Sequence, residues 1–201
     1  MKVFIMKNFS LKKSIRLFLI TIILGGSSFI IGELHAAIPT GQLNEQEYQY
    51  VLTIMQQMKD YTENIILVTN DLFRNTTPFQ QDLTTFNILR DNISTIHGNI
   101  TKTGSPFAQH VIGNLKGLAQ HLMMAQIRWV ETLQSKSLIT MGSNRGFMAA
   151  RYDDALRFIL GARNSNNTRT GEGLIGCFEK AQYHDLKAEF YTIHKNINFS
   201  Y

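Results

Sequence analysis

From residue 43 onward, apolar side chains recur at steps of three and four with polar residues between them, the period of one buried helical face. The first stripe is Tyr48, Val51, Met55, Met58, Ile65, Val68 and Leu72. The segment Leu43-Asn44-Glu45-Gln46-Glu47-Tyr48 just before it carries start signals. Asn44 suits the N-cap, Glu47 can reach back to the cap, and Leu43 can staple onto Tyr48. The pattern predicts a helix over about 44–73. Arg74-Asn75-Thr76-Thr77-Pro78 interrupts it, and Thr77, Pro78 and Gln80 supply a cap, a first-turn proline and a capping-box partner. Phe79, Leu83, Phe86, Leu89, Ile93, Ile96 and Ile100 then mark a second helix. So short a break predicts an antiparallel hairpin.

Gly104-Ser105-Pro106 repeats the stop, cap and start logic. Val111, Leu115, Leu118, Leu122, Ala125, Trp129 and Leu133 give the most regular stripe, predicting a third helix from Ser105 to about Leu138 with Gly142 closing the segment. Gly113 and Gly117, four apart, read as close packing against a neighbouring helix. A fourth helix fits Asn144 to Leu160, with Met148, Tyr152, Ala155 and Ile159 inward and Gly161 as its C-terminal stop. The stretch 161–173 holds no large apolar residue and reads as a solvated, mobile loop. Ile175, Phe178, Leu186, Phe190 and Ile193 predict one last helix from Leu174 to about Ile197. No strand-like alternation persists after residue 37. The expected fold is all-α, an elongated antiparallel bundle of four to five helices preceded by an N-terminal signal-peptide helix.

The first 36 residues follow different rules. Lys2, Lys7, Lys12, Lys13 and Arg16 precede an apolar run from Leu17 to Ile31, and Ala36-Ala37 offers a small-residue cleavage point. That order is the signature of an export signal. A membrane anchor is the rival reading, but a spanning helix needs about 20 apolar residues. The uncharged stretch Leu17 to Gly32 has sixteen, and Gly25-Gly26-Ser27-Ser28 interrupts it. The expectation is a cleaved leader at 1–36 and one helical domain at 37–201. Location is then the periplasm or the exterior of a bacterium, or the inner membrane if the leader stays attached. The lysine-rich leader and the bias towards Ile, Asn and Lys favour a bacterial source. The triplets opening at Asn75, Asn92, Asn99, Asn166 and Asn198 then lose meaning as glycan acceptors.

Removing the leader also changes the charge. The full chain carries +5, but residues 1–36 hold five bases and one acid. The remaining 15 bases and 14 acids are nearly balanced, which argues against nucleic acid as a partner. Charge is segregated along the chain: residues 37–101 hold three bases and seven acids, and residues 102–169 hold nine and three. The simplest reading is an acidic hairpin neutralising a basic one within the molecule. A basic surface for a membrane or an acidic partner is the other.

Chemistry is sparse. Cys177 is the only cysteine, so no internal disulfide forms, and in an apolar segment it reads as packing. The strained Gly-x-Ser-x-Gly turn, the phosphate-cradling loop and the paired Glu-x-x-His of di-iron bundles are absent after the leader. His110 and His121 share a face about 16 Å apart, and His184 and His194 lie about 15 Å apart, too far to share a metal. Met55 or Met58 with His184 or His194 could imitate a haem-ligating bundle, which is the ligand-binding alternative; an enzyme with a dispersed site is a third. Arg145, Arg151, Arg157, Arg163 and Arg169 recur every six residues, a step that spirals round a helix and reads as coincidence. No catalytic, metal or cofactor residue is expected, and no cofactor. The expected role is interaction with proteins of the cell envelope, such as a secretion assembly, or with further copies of the chain. Trp129, Arg163 and Arg169 are the expected contact residues.

Overall fold

The computed structural model describes residues 41–74, 79–136, 138–162 and 172–198, all within one unit running Ile38–Tyr201. The predicted leader and cleavage point lie outside the described residues. Those described are all-helical, with no strand among them. The helices are α1 (Glu45–Arg74), α2 (Phe79–Asn99), α3 (Pro106–Ser135), α4 (Leu138–Leu160), α5 (Leu174–Lys180) and α6 (His184–Asn198). None of them is long and apolar enough to cross a membrane.

Helix α1 begins where the capping box predicts. The Asn44 Oδ1 accepts from the Glu47 N–H at 2.9 Å, and Glu47 Oε2 accepts from the Asn44 N–H at 2.9 Å. At α3 the Ser105 hydroxyl accepts from the Ala108 N–H at 3.2 Å, with Pro106 in the first turn. Both starts are local, so sequence spacing was enough to find them.

Two boundaries differ from expectation, each at a turn made without glycine. The α3–α4 connection closes at Lys136 in the left-handed conformation (φ 50°), and α4 starts at Leu138 rather than Asn144. Gly142 lies inside α4, exposed, with open space where a Cβ would sit. Asn144 spends its amide on the Thr132 hydroxyl at 3.0 Å instead of capping a helix. The predicted last helix is two helices. After α5 the chain turns through Gln182 (φ 63°), and the Tyr183 N–H reaches back to the Phe178 carbonyl at 2.9 Å.

The stripes interlock into one apolar core. Helix α3 packs most extensively against α4 and next against α2, while α1 lies against α6 and α2. Contacts from Thr132–Asn144 down to Gly117–Phe158 show α3 and α4 running in opposite directions. Phe86, Met55, Met58, Ile93, Leu115, Tyr152, Phe178 and Phe190 are among the fully buried side chains. A buried polar track crosses this core. The Tyr61 hydroxyl donates to Gln126 Oε1 at 3.0 Å, and Gln126 Nε2 donates to the Phe86 carbonyl at 2.9 Å, linking α1, α3 and α2. On the other side of α1, Asn196 donates to the buried Thr62 hydroxyl at 3.2 Å and Lys59 pairs with Glu189 at 2.8 Å, fastening α6. Partners for Tyr61, Gln126, Thr62 and Asn196 keep the desolvation cost of this track small.

The segment entering α1 is held from three sides. Gly41 rests against Phe107, Leu43 presents its N–H and its carbonyl to the Tyr183 hydroxyl at 2.8 and 3.2 Å, and the Tyr48 hydroxyl donates to Asp185. That last bond pushes the Tyr48 hydroxyl up to about 12 and holds the Asp185 carboxyl below its usual range. The ends of the predicted 161–173 loop also meet, because Gly173 lies so close to the Ile159 and Gly161 backbone that a Cβ would collide.

Candidate functional site

The most structured charged region is the seam between α3 and α4. Gly117 and His121 with Arg128 on α3, and Phe147, Arg151, Asp154 and Phe158 on α4, fall at helical spacing on facing edges. A Cβ on Gly117 would collide with the Phe158 ring, so the missing side chain is what lets that ring lie on α3. The ring centroid is then 5.6 Å from the His121 imidazole. The close intrachain approach expected of the Gly113 and Gly117 pair is seen from a neighbouring helix at Gly117 alone, and by a side chain; a Cβ on Gly113 would meet the Lys102 side chain of the preceding loop.

Asp154 is the hub of the seam. Arg151 approaches its Oδ2 at 3.3 Å, Arg157 its Oδ1 at 3.2 Å, and the His121 Nδ1 stands 3.7 Å from Oδ2. Arg128 pairs with Glu131 at 2.5 Å. The guanidinium groups of Arg128 and Arg151 both lie over the Phe147 ring, 4.6 and 5.0 Å from its centroid. Such contacts favour a fixed guanidinium plane. Burial holds His121 below its usual pKa; Asp154 opposes that, and Arg151 and Arg157 reinforce it. Near neutral pH the seam therefore carries three guanidinium charges against two carboxylates. The His121 Nδ1 and the Arg151 Nε are buried with no hydrogen-bond partner. The six-residue arginine spacing is thus partly organised: Arg151 and Arg157 meet at Asp154.

The expected contact residues fare differently. Trp129 is a core residue, only 4% exposed. Its indole N–H donates to the Tyr152 hydroxyl at 3.2 Å and its ring lies 5.4 Å from Phe86. It belongs to the same stripe as Leu115 and Leu122, and that periodicity was the signal that it points inward. A direct contact role for Trp129 is corrected on that ground; its neighbour Arg128 is what reaches the surface. Arg163 and Arg169 lie outside the described residues.

Of the groups weighed for cofactor chemistry, the methionines are occupied with packing. Met55 and Met58 are fully buried in the core. His184 is exposed, His194 is beside Asn198 at 3.1 Å, and His110 is beside Asn114 at 3.1 Å. Among the described residues, no three of His, Cys, Asp and Glu gather as a metal site. Cys177 is buried, and burial pushes its thiol up to about 11, far from a thiolate at neutral pH. Between α1 and α2 an open groove of 280 Å³ is lined by Gln57, Asp60, Tyr61, Asn64, Asn92, Thr95 and Ile96. Three of these seven residues are amides and one is a carboxylate, a poor arrangement for acid–base work. No known protein-family model, curated protein or solved structure matches the chain.

Proposed function

We propose that this chain is an exported, non-enzymatic helical protein that acts by binding other proteins, as a component of a bacterial cell-envelope or secretion assembly. The leader at 1–36 is removed after Ala36 or Ala37, and the mature chain works in the periplasm or beyond it. There it forms an elongated antiparallel bundle. The observation that carries this reading is the α3–α4 seam, where arginines are held in place on an aromatic ring beside a solvent-exposed face. Arginine and aromatic residues are the side chains enriched in protein interfaces. The test is affinity capture from the native envelope with tagged mature protein, alongside light scattering of the purified chain. The expected result is a reproducible partner or a concentration-dependent oligomer. A strictly monomeric protein that captures nothing reproducible would overturn the reading.

A further inference from the structure

The charge segregation along the chain invites an internal explanation, in which the acids of α1 and α2 neutralise the bases of α3 and α4. The ion pairs do not follow it. Among the described residues, Lys59 of α1 pairs with Glu189 of α6, Arg90 with Asp91 on α2, and Arg128, Arg151 and Arg157 with carboxylates of their own helices. None joins an acid of α1 or α2 to a base of α3 or α4. Among the described residues, then, no ion pair from the acidic half of the molecule reaches the arginines of the α3–α4 hairpin.

We infer that the α3–α4 seam is a docking surface for an acidic polypeptide segment whose carboxylates are received by Arg128, Arg151 and Arg157. The inference rests on the interaction role proposed above and names the chemistry of the partner. Three features favour it. Arginine supply exceeds acceptor supply, because Arg151 and Arg157 divide one carboxylate between them, and the Arg151 Nε is still without a partner. Each guanidinium has five N–H donors in a fork that fits a carboxylate edge. Phe147 fixes the planes of two of these forks before any partner arrives, which lowers the side-chain entropy lost on binding. Arg128 and Arg157 keep 40% and 65% of their side-chain surface in solvent, so an incoming carboxylate meets them directly.

The test uses the full mature chain and a fluorescein-labelled hexaglutamate peptide, read by fluorescence anisotropy at low salt and at physiological salt. The wild-type protein is expected to bind the peptide, more weakly as salt rises. R128Q/R157Q is expected to weaken binding about tenfold, the scale of two exposed charge contacts. R145Q is the control: Arg145 is exposed and nine residues from Asp154, hence on the opposite side of the helix from that carboxylate, whereas Arg157 is three residues from it. It should leave affinity within about twofold. Should the double variant lose its thermal transition, R157Q alone gives the same comparison at the most exposed position. Absence of wild-type binding, or equal loss in R145Q, overturns the inference. So does binding to phosphatidylglycerol vesicles with no binding to the peptide, which would make the seam a lipid surface. Envelope capture repeated with R128Q/R157Q separates the two levels. A partner retained by the variant sinks the acidic-segment inference and leaves the interaction role standing, whereas no partner for the wild type sinks the role itself.

Discussion

The carboxylate of Glu47 accepts the Ser105 backbone N–H at 2.6 Å, across 58 residues of sequence, while its other oxygen closes the capping box on Asn44. One side chain thus secures the start of α1 and the approach to α3, and the Ser105 hydroxyl adds a third contact at 3.3 Å. Gly104 makes this fit: its φ of +90° suits glycine, and a Cβ there would press on the carboxylate at 2.5 Å.

Glu47→Ala should therefore cost more than an ordinary cap. A capping side chain contributes about 1 kcal/mol, and a hydrogen bond to a charged group about 1.5–3 kcal/mol. A loss of about 2–3 kcal/mol in urea unfolding is expected. Glu47→Gln, which keeps one acceptor oxygen, should lose roughly half as much. Equal and small losses for both variants would show that the contact to Ser105 contributes little.

The Tyr61–Gln126 bond predicts strong coupling. Gln126→Leu strands a buried tyrosine hydroxyl and should cost about 2–3 kcal/mol. Adding Tyr61→Phe removes the stranded hydroxyl, so the double variant should be less destabilised than the sum of the singles by about 1 kcal/mol or more. Additive losses in a double-mutant cycle by chemical denaturation would contradict this geometry.

Two glycines on the same hairpin should respond oppositely. Gly142→Ala places a methyl group in open space inside a helix and should stabilise by about 0.5–1 kcal/mol, since glycine costs about that much there. Gly117→Val drives a branched side chain into the Phe158 ring and should destabilise by about 1–3 kcal/mol. Thermal unfolding of the two variants decides it.

Acid should weaken the fold in two stages. Burial holds His97, His110, His121 and His194 below the ordinary value of 6.5. Below pH 6.5 the unfolded chain therefore binds protons that the folded chain does not, and stability falls as pH drops. The second stage belongs to Glu47 and Asp185. Hydrogen bonds from the Ser105 backbone and from Tyr48, respectively, hold them below 4.5 and 3.8, so stability present above those values is lost beneath them. Urea midpoints between pH 8 and pH 3 should show both declines. A midpoint flat from pH 7.5 to 5.5 would contradict the lowered values of these half-buried histidines.

What could be read in advance was whatever depends on near neighbours in the chain. The Asn44–Glu47 box, the Ser105–Pro106 start and the Gly161 stop each involve residues within a few positions. Among the described residues, the inward side of the stripes, Trp129 included, was legible for the same reason. The turns at Lys136 and Gln182 were not, because both place a non-glycine residue in the left-handed region, and local propensity argues against that. Packing of the flanking helices outweighs the local cost.

The arginine seam marks the boundary between the two kinds of information. Along the chain, Arg151 and Arg157 stand six apart and point in different directions, and Arg128 belongs to another helix. The sequence by itself determined an all-helical chain, its caps, its core stripes and a segregated charge, because each follows from helical period and near-neighbour hydrogen bonding. Only the tertiary structure decided that Gly117 would admit Phe158, that Phe147 would carry the Arg128 guanidinium of the facing helix as well as that of Arg151, and that His121 would stand beside Asp154. Those outcomes depend on how two helices are set against each other, which no spacing within either helix contains.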